Sequence, residues 1–173
     1  MESIFIVIIC FGSALLVFGA VIFVLNRMLQ NDERKRQAEI IADTRRITIP
    51  MRLQAYERLI LFLERITPDS MVIRVKNEAL TNADLHLMLL KTIRNEFEHN
   101  LSQQLYVGTQ AWEDVKKAKE DIATLINDAA KTQNPTEASI GLSKAIFDKL
   151  VEAGESPTAM AIEELKKEAR KIF

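Results

Sequence analysis

A run of 22 residues without a charged side chain, from Ile4 to Leu25, constrains this chain more than any other feature of its sequence. As an α-helix the run would be about 33 Å long, enough to cross a hydrocarbon core of about 30 Å. A helix in a soluble protein rarely continues this far without a polar stripe. The run therefore predicts an N-terminal transmembrane helix, with residues 1–25 as the anchor.

Two other interpretations of this run, a cleaved signal peptide and a lipoprotein signal, fit its flanks less well. A signal peptide begins with basic residues and ends at a cleavage site of small residues. This chain begins Met-Glu-Ser, and its Gly19-Ala20 pair is followed by five more apolar residues. A lipoprotein signal centred on Cys10 needs a small residue at the position of Ile9. We therefore expect an uncleaved signal anchor.

Basic charge is distributed unevenly around the anchor. No Lys or Arg precedes it, and six follow it closely: Arg27, Arg34, Lys35, Arg36, Arg45 and Arg46. The positive-inside rule then predicts the N-terminus outside and the C-terminal domain in the cytoplasm. The same basic cluster is a candidate contact for anionic lipid head groups.

The rest of the chain has the composition of a helical domain of nearly neutral charge. After Arg46 there are 17 basic and 19 acidic residues, so we expect no nucleic-acid partner. The whole chain holds only 5 Gly and 4 Pro, which favours helix over sheet. Its single cysteine, Cys10, excludes a disulfide framework within one chain.

The predicted fold class is all-α, with a transmembrane helix followed by a cytoplasmic antiparallel helical bundle of about five helices. A charged juxtamembrane helix is expected at residues 26–47 and the bundle at residues 48–173. Residues 133–173 hold the last two helices, a candidate separable subunit of the bundle.

Proline, glycine and capping residues predict where the helices of the bundle begin and end. Thr48 and Pro50 indicate a break, and residues 69–79 are interpreted as an extended connection. The predicted helices are Met51–Ile66, one from Thr81 or Asn82 to about Tyr106, one capped by Thr109, Thr136–Ala153 ending at Gly154, and one opened by Ser156-Pro157.

The helix predicted after Pro50 has one apolar and one charged face. Its predicted core residues are Tyr56, Leu59, Phe62, Leu63 and Ile66. Leu61 falls on the charged face, with Leu53 and Ile60 at its border. It is interpreted either as a scattered surface residue, as a contact with a second helix of the bundle, or as part of a protein interface. In the anchor, Gly12 and Gly19 lie on one face and form a second candidate interface.

Three segments in the middle of the chain carry a resemblance to a known family. They are RLQAYERLILFLERITP, TIRNEFEHNLSQQLYV and AWEDVKKAKEDIATLIN, at residues 52–68, 92–107 and 111–127. They resemble an uncharacterised family of small single-pass membrane-anchored helical proteins from Bacteroidota. The resemblance covers about residues 52–130, with the anchor in the same place. It implies a Gram-negative inner membrane and no established reaction.

Only one pair of residues invites a catalytic or metal-binding interpretation. Glu96 and His99 have the Glu-x-x-His spacing of carboxylate-bridged di-iron bundles, which need two such pairs and two further glutamates. His86, the only other histidine, lies near the opposite side of the same predicted helix. We therefore expect no metal, cofactor, catalytic residue or small-molecule substrate.

The sequence leads to one main functional hypothesis and two alternatives. The main hypothesis is a non-enzymatic accessory or scaffold protein that presents a helical interaction surface at the cytoplasmic face of a membrane. Its expected partners are membrane lipid and either other membrane-complex proteins or a second copy. The alternatives are a lipid-binding module at the membrane surface and an enzyme with a cryptic metal site at Glu96/His99.

Overall fold

Helices account for the regular structure throughout the described part of the chain. The computed structural model describes residues 2–75 and 79–172, except for the side chains of residues 2–11, 13, 14, 16 and 20. The helices are α1 (Glu2–Arg65), α2 (Pro68–Val75), α3 (Asn82–Glu98), a 3-10 helix (Leu101–Leu105), α4 (Thr109–Ala130), α5 (Ile140–Ala153) and α6 (Pro157–Arg170). Beyond these helices there is one isolated antiparallel bridge, between Thr81 and Ala138. The all-α prediction is confirmed for these residues.

The chain divides into two compact units, residues 1–48 and residues 49–173. In the N-terminal unit, every side chain that the structure describes is exposed. Among the described residues, no helix combines the length and apolar character needed to cross a membrane. Much of the predicted anchor, namely residues 4–11, 13, 14, 16 and 20, lies outside the described side chains.

The predicted break at Thr48 and Pro50 is wrong, because α1 continues through Pro50 to Arg65. Proline fixes φ near −65°, a value that a helix also uses, so a helix can continue through it. The costs are a missing N–H donor, which leaves the carbonyl of Arg46 without its usual partner, and crowding of that carbonyl by the proline ring. Two residues before Pro50, the Thr48 hydroxyl donates to the carbonyl of Thr44 at 2.7 Å.

In the C-terminal unit, α4 packs against α3, α5 and α6. Helix α4 has an apolar stripe, since Trp112, Val115, Ala118, Ile122, Ile126 and Ala129 are buried and Leu125 packs partly buried against the core. The predicted core face of α1 is confirmed, with Tyr56, Leu59, Phe62, Leu63 and Ile66 all buried. The two faces belong to one hydrophobic cluster.

The segment predicted as an extended connection is largely helical. Residues Pro68–Val75 form α2, whereas residues 76–78 lie outside the described residues. Proline is favoured in the first turn of a helix, and Asp69 places negative charge at the same end. Met71 and Val72 are buried, so helical packing outweighs the β preference of the Met-Val-Ile-Arg-Val run.

Two predicted helices are shorter in the structure because polar side chains bond to nearby backbone. α3 ends at Glu98 rather than near Tyr106, and the Asn100 amide donates to the carbonyl of Glu96 at 2.8 Å. α5 begins at Ile140 rather than Thr136. The Asn134 side chain there accepts from the Thr136 N–H at 3.2 Å, which favours a turn over a helix.

Most of the predicted helix caps are confirmed. Thr81 caps α3 in a capping box with Asp84, and the Ser156 hydroxyl accepts from the Thr158 N–H at the start of α6. Gly154 ends α5 with φ of +75°, a conformation that strains any residue with a Cβ. The cap of α4 is Gly108 rather than the predicted Thr109.

Candidate interaction surface

The face of α1 opposite the core carries one large apolar side chain among polar ones. At roughly 100° per residue, Leu61 points almost directly away from the buried face of α1. Its side chain is 53% exposed. We define the Leu61 face as the exposed residues around it, namely Gln54, Glu57, Arg58, Leu61, Glu64 and Arg65. Of the border residues, Ile60 packs partly buried against the core and Leu53 is half-buried.

Charges are separated across the Leu61 face. On the helical wheel, Arg58 and Arg65 lie within about 60° of Leu61 on one side, and we call them the basic edge. Glu57 and Glu64 lie within about 60° on the other side and form the acidic edge. Within the described residues, the side chains of Glu57, Arg58 and Glu64 make no ion pair. Three of the four edge charges are therefore available to a partner.

The fourth edge charge is held in place by α3. The Arg65 guanidinium donates to one carboxylate oxygen of Glu96, through Nε at 2.9 Å and through Nη2 at 2.5 Å. The Arg65 side chain is nevertheless about half exposed. This bond joins the end of α1 to α3 and orients Arg65 on the surface.

The same bond changes the interpretation of the Glu-x-x-His pair. The Glu96 carboxylate is already paired with a guanidinium, which opposes a second cation at that position. His99 bonds to its own helix, with Nδ1 at 2.6 Å from the Asn95 carbonyl oxygen. His86 lies elsewhere, with Nε2 at 2.7 Å from Oδ1 of Asn127 on α4. Across the described side chains, no three metal-ligating residues come together.

The remaining predicted interface and orientation residues belong to the N-terminal unit. Gly12 and Gly19 are exposed, and a Cβ added to either would meet nothing within 4 Å. The six basic residues of the orientation cluster are exposed: Arg27, Arg34, Lys35, Arg36, Arg45 and Arg46. Arg46 lies 4.0 Å from Asp43, a distance that contributes little at an exposed site.

A polar network that the sequence did not reveal joins α1 to α6. Arg52 donates through Nε to the Tyr106 carbonyl at 3.0 Å and through Nη2 to the Tyr56 hydroxyl at 3.1 Å. The Glu168 carboxylate accepts from the Gly108 N–H at 2.8 Å. Burial raises the pKa of the Tyr56 hydroxyl, and its hydrogen bond to Glu168 raises it further. These groups position α1, so that the opposite side carries the Leu61 face.

Asn82 is a second polar residue whose role no sequence signal reveals. Its side chain is buried, and its amide nitrogen donates to the Asn134 carbonyl at 2.8 Å. Its amide oxygen accepts from the Leu142 N–H at 2.9 Å, near the start of α5. One amide thus joins the start of α3 to the loop before α5 and to α5 itself.

Comparison with protein-family profiles gives a match over nearly the whole chain. The profile of DUF7935, described as a family of unknown function, matches residues 2–172. That range is longer than residues 52–130, where the sequence resemblance was recognised, and it includes the last two helices. No curated protein and no solved structure matches the chain.

Proposed function

The chain belongs to the DUF7935 family, and we propose that it is a non-enzymatic accessory or scaffold protein of the inner membrane. In this proposal residues 4–25 form a single-pass anchor with the N-terminus outside. The C-terminal unit then presents a protein-interaction surface in the cytoplasm.

The anchor is supported by the sequence of α1. Residues 4–25 contain no charge, and all of them belong to a helix. The described large apolar residues in this run are all exposed, namely Leu15, Val17, Phe18, Val21, Ile22, Phe23, Val24 and Leu25. A helix that is apolar on all sides is typical of a membrane span. The basic cluster on its C-terminal side supports a cytoplasmic C-terminal unit.

The exposed Leu61 between two edges of opposite charge is the observation that carries the proposed interaction surface. Single exposed leucines are common on protein surfaces. This one lies on a helix whose opposite face is buried in the core. The available charges around it suit a partner that is apolar at its centre and charged at its rim.

The anchor is tested with the full-length chain in cells. The protein should stay in the membrane fraction after an alkaline carbonate wash, which releases peripheral proteins. A reporter fused after Phe173 should be active only in a format that requires the cytoplasm. Release by carbonate, or activity of a periplasm-dependent reporter, would overturn this part of the proposal.

The interaction surface is tested by gentle detergent extraction with mass spectrometry of proteins that co-purify. Leu61→Glu should remove a specific partner, whereas Lys144→Glu, at an exposed position on α5, should not. An unchanged set of co-purified proteins, together with unchanged self-association, would argue against the Leu61 face.

A lipid-binding module is the second candidate function, favoured by the six exposed residues of the basic cluster. It predicts that residues 26–173 bind vesicles containing anionic lipid, and that binding weakens as salt is raised. Equal binding to neutral vesicles would remove this candidate.

A further inference from the structure

The two charged edges of the Leu61 face are arranged so that the face complements itself. When two copies of a helix face each other around a twofold axis parallel to their length, the right-hand edge of one lies opposite the left-hand edge of the other. The basic edge of each copy then meets the acidic edge of its partner. The contact is isologous, since both copies use the same residues.

The heights of the charges along the helix also match. Arg58 and Glu57 are adjacent, so they differ by only about 1.5 Å along the axis, as do Arg65 and Glu64. In an in-register pair, Arg58 lies beside the partner's Glu57. Arg65, which is already bonded to Glu96 of its own chain, lies beside the partner's Glu64. Leu61 of one copy meets Leu61 of the other at the centre.

An antiparallel pair around Leu61 would have the opposite electrostatics. Its twofold axis runs across the helices, so that each edge lies opposite the same edge of the other copy. Arg58 would then lie opposite the partner's Arg65, and Glu57 opposite the partner's Glu64. Like charges at such distances repel, so the charge pattern selects the parallel arrangement.

We propose that the Leu61 face binds the same face of a second copy of this chain, as a parallel, in-register pair. This inference rests on the proposed function, because an anchor in one membrane holds both N-termini on the same side. Anchoring also raises the effective concentration of the two faces. The exposed charge pairs are individually weak and contribute little affinity. Their arrangement sets the register and direction of the pair, while membrane anchoring favours the encounter.

A cysteine placed on the line of Leu61 tests register and direction together. The full-length chain carrying Cys10→Ala is reconstituted in lipid bilayers with Gln54→Cys and treated with a mild oxidant. Gln54 lies two turns before Leu61 on the same face, so parallel pairing places the two new thiols together. In an antiparallel pair, residue 54 would instead lie near residue 68. The matched control is Lys117→Cys, at an exposed position on α4.

We expect a disulfide-linked dimer with Gln54→Cys and little with Lys117→Cys. Adding Arg58→Glu should reduce the linked fraction at least about fivefold, since it sets two acidic side chains against each other. Adding Glu57→Arg as well should restore it, because the pair is then reversed rather than broken. Lys144→Glu should have no effect.

Two results would overturn the pairing. One is no linked dimer with Gln54→Cys when circular dichroism shows intact helices. The other is a linked fraction that does not respond to Arg58→Glu. If Gln54→Cys gave no linked dimer while the chain remained membrane-integral and lost a different partner with Leu61→Glu, the proposed function would survive and this inference would fail.

Discussion

Among single residues, the buried side chain of Asn82 makes the clearest prediction about stability. Asn82→Ala removes the partner of the buried Leu142 N–H and of the Asn134 carbonyl. We expect the free energy of unfolding to fall by about 1–3 kcal/mol, measured by urea denaturation. Gln104→Ala, at an exposed position, should change it by less than about 0.5 kcal/mol. Equal effects of the two variants would contradict the role of Asn82.

The capping box of α3 predicts a dependence on pH. Hydrogen bonds from Thr81 hold the pKa of the Asp84 carboxyl below its ordinary value. A lowered pKa in the folded state contributes stability that is present above the ordinary pKa and is lost as pH falls through the folded value. The wild type should therefore melt above Asp84→Asn at pH 7, and the difference should shrink below about pH 4. A difference unchanged down to about pH 2.5 would contradict this.

Sequence patterns predicted the roles of single residues where those roles depend only on neighbouring residues in the chain. Thr81, Ser156 and Gly154 act within one turn of the chain, so the residue types alone indicate their roles. Arg52 and Glu168 could not be paired in advance, because they meet only after α1 and α6 pack. The same holds for Arg65 and Glu96.

At the scale of elements, helix α5 depends on the conformation of its last turn. Gly154 has φ of +75°, and no neighbouring atom lies within 4 Å of where a Cβ would stand. Gly154→Ala should therefore destabilise the chain by about 1 kcal/mol through backbone strain rather than a clash. Thermal melting compared with Glu155→Ala, at the neighbouring exposed residue, checks this. Similar melting temperatures for the two variants would contradict it.

The proline inside α1, Pro50, leads to a prediction about amide hydrogen exchange. Pro50→Ala supplies the N–H that the Arg46 carbonyl lacks, and alanine is the best helix former. We expect slower amide hydrogen exchange in residues 46–54 of the variant. Unchanged exchange would mean that the missing bond does not limit opening of the helix there.

The elements also show where sequence patterns fail. Met-Val-Ile-Arg-Val has β-branched residues typical of a strand, yet it lies in α2 because Met71 and Val72 find a buried position in the helical core. Thr48 and Pro50 were expected to mark a break between two helices, yet the φ of proline suits a helix. In α2, burial outweighed the local β preference. At Pro50, the residue type was compatible with more than one structure.

For the whole molecule, composition predicted the all-α fold. The spacing of apolar residues predicted the core face of α1, because that spacing records which side of a helix is buried. The spacing of apolar residues could not predict which helices pack together, namely that α4 contacts α3, α5 and α6. The candidate surface was predicted in part. Leu61 was identified as an apolar residue on a charged face, whereas its 53% exposure and the pairing of Arg65 with Glu96 came with the structure.

The central claim is that Leu61 belongs to a surface for partners and not to the core, and a pair of variants tests it most directly. Leu61 is 53% exposed, whereas Leu63, two residues away on the same helix, is 0% exposed. In the full-length chain in detergent, Leu63→Glu should lower the free energy of unfolding by about 3 kcal/mol or more, because it buries an unpaired charge.

Leu61→Glu should leave the melting temperature nearly unchanged while it abolishes self-association or partner capture. If Leu61→Glu instead destabilises the chain as severely as Leu63→Glu, Leu61 is a core residue and the proposed surface does not exist.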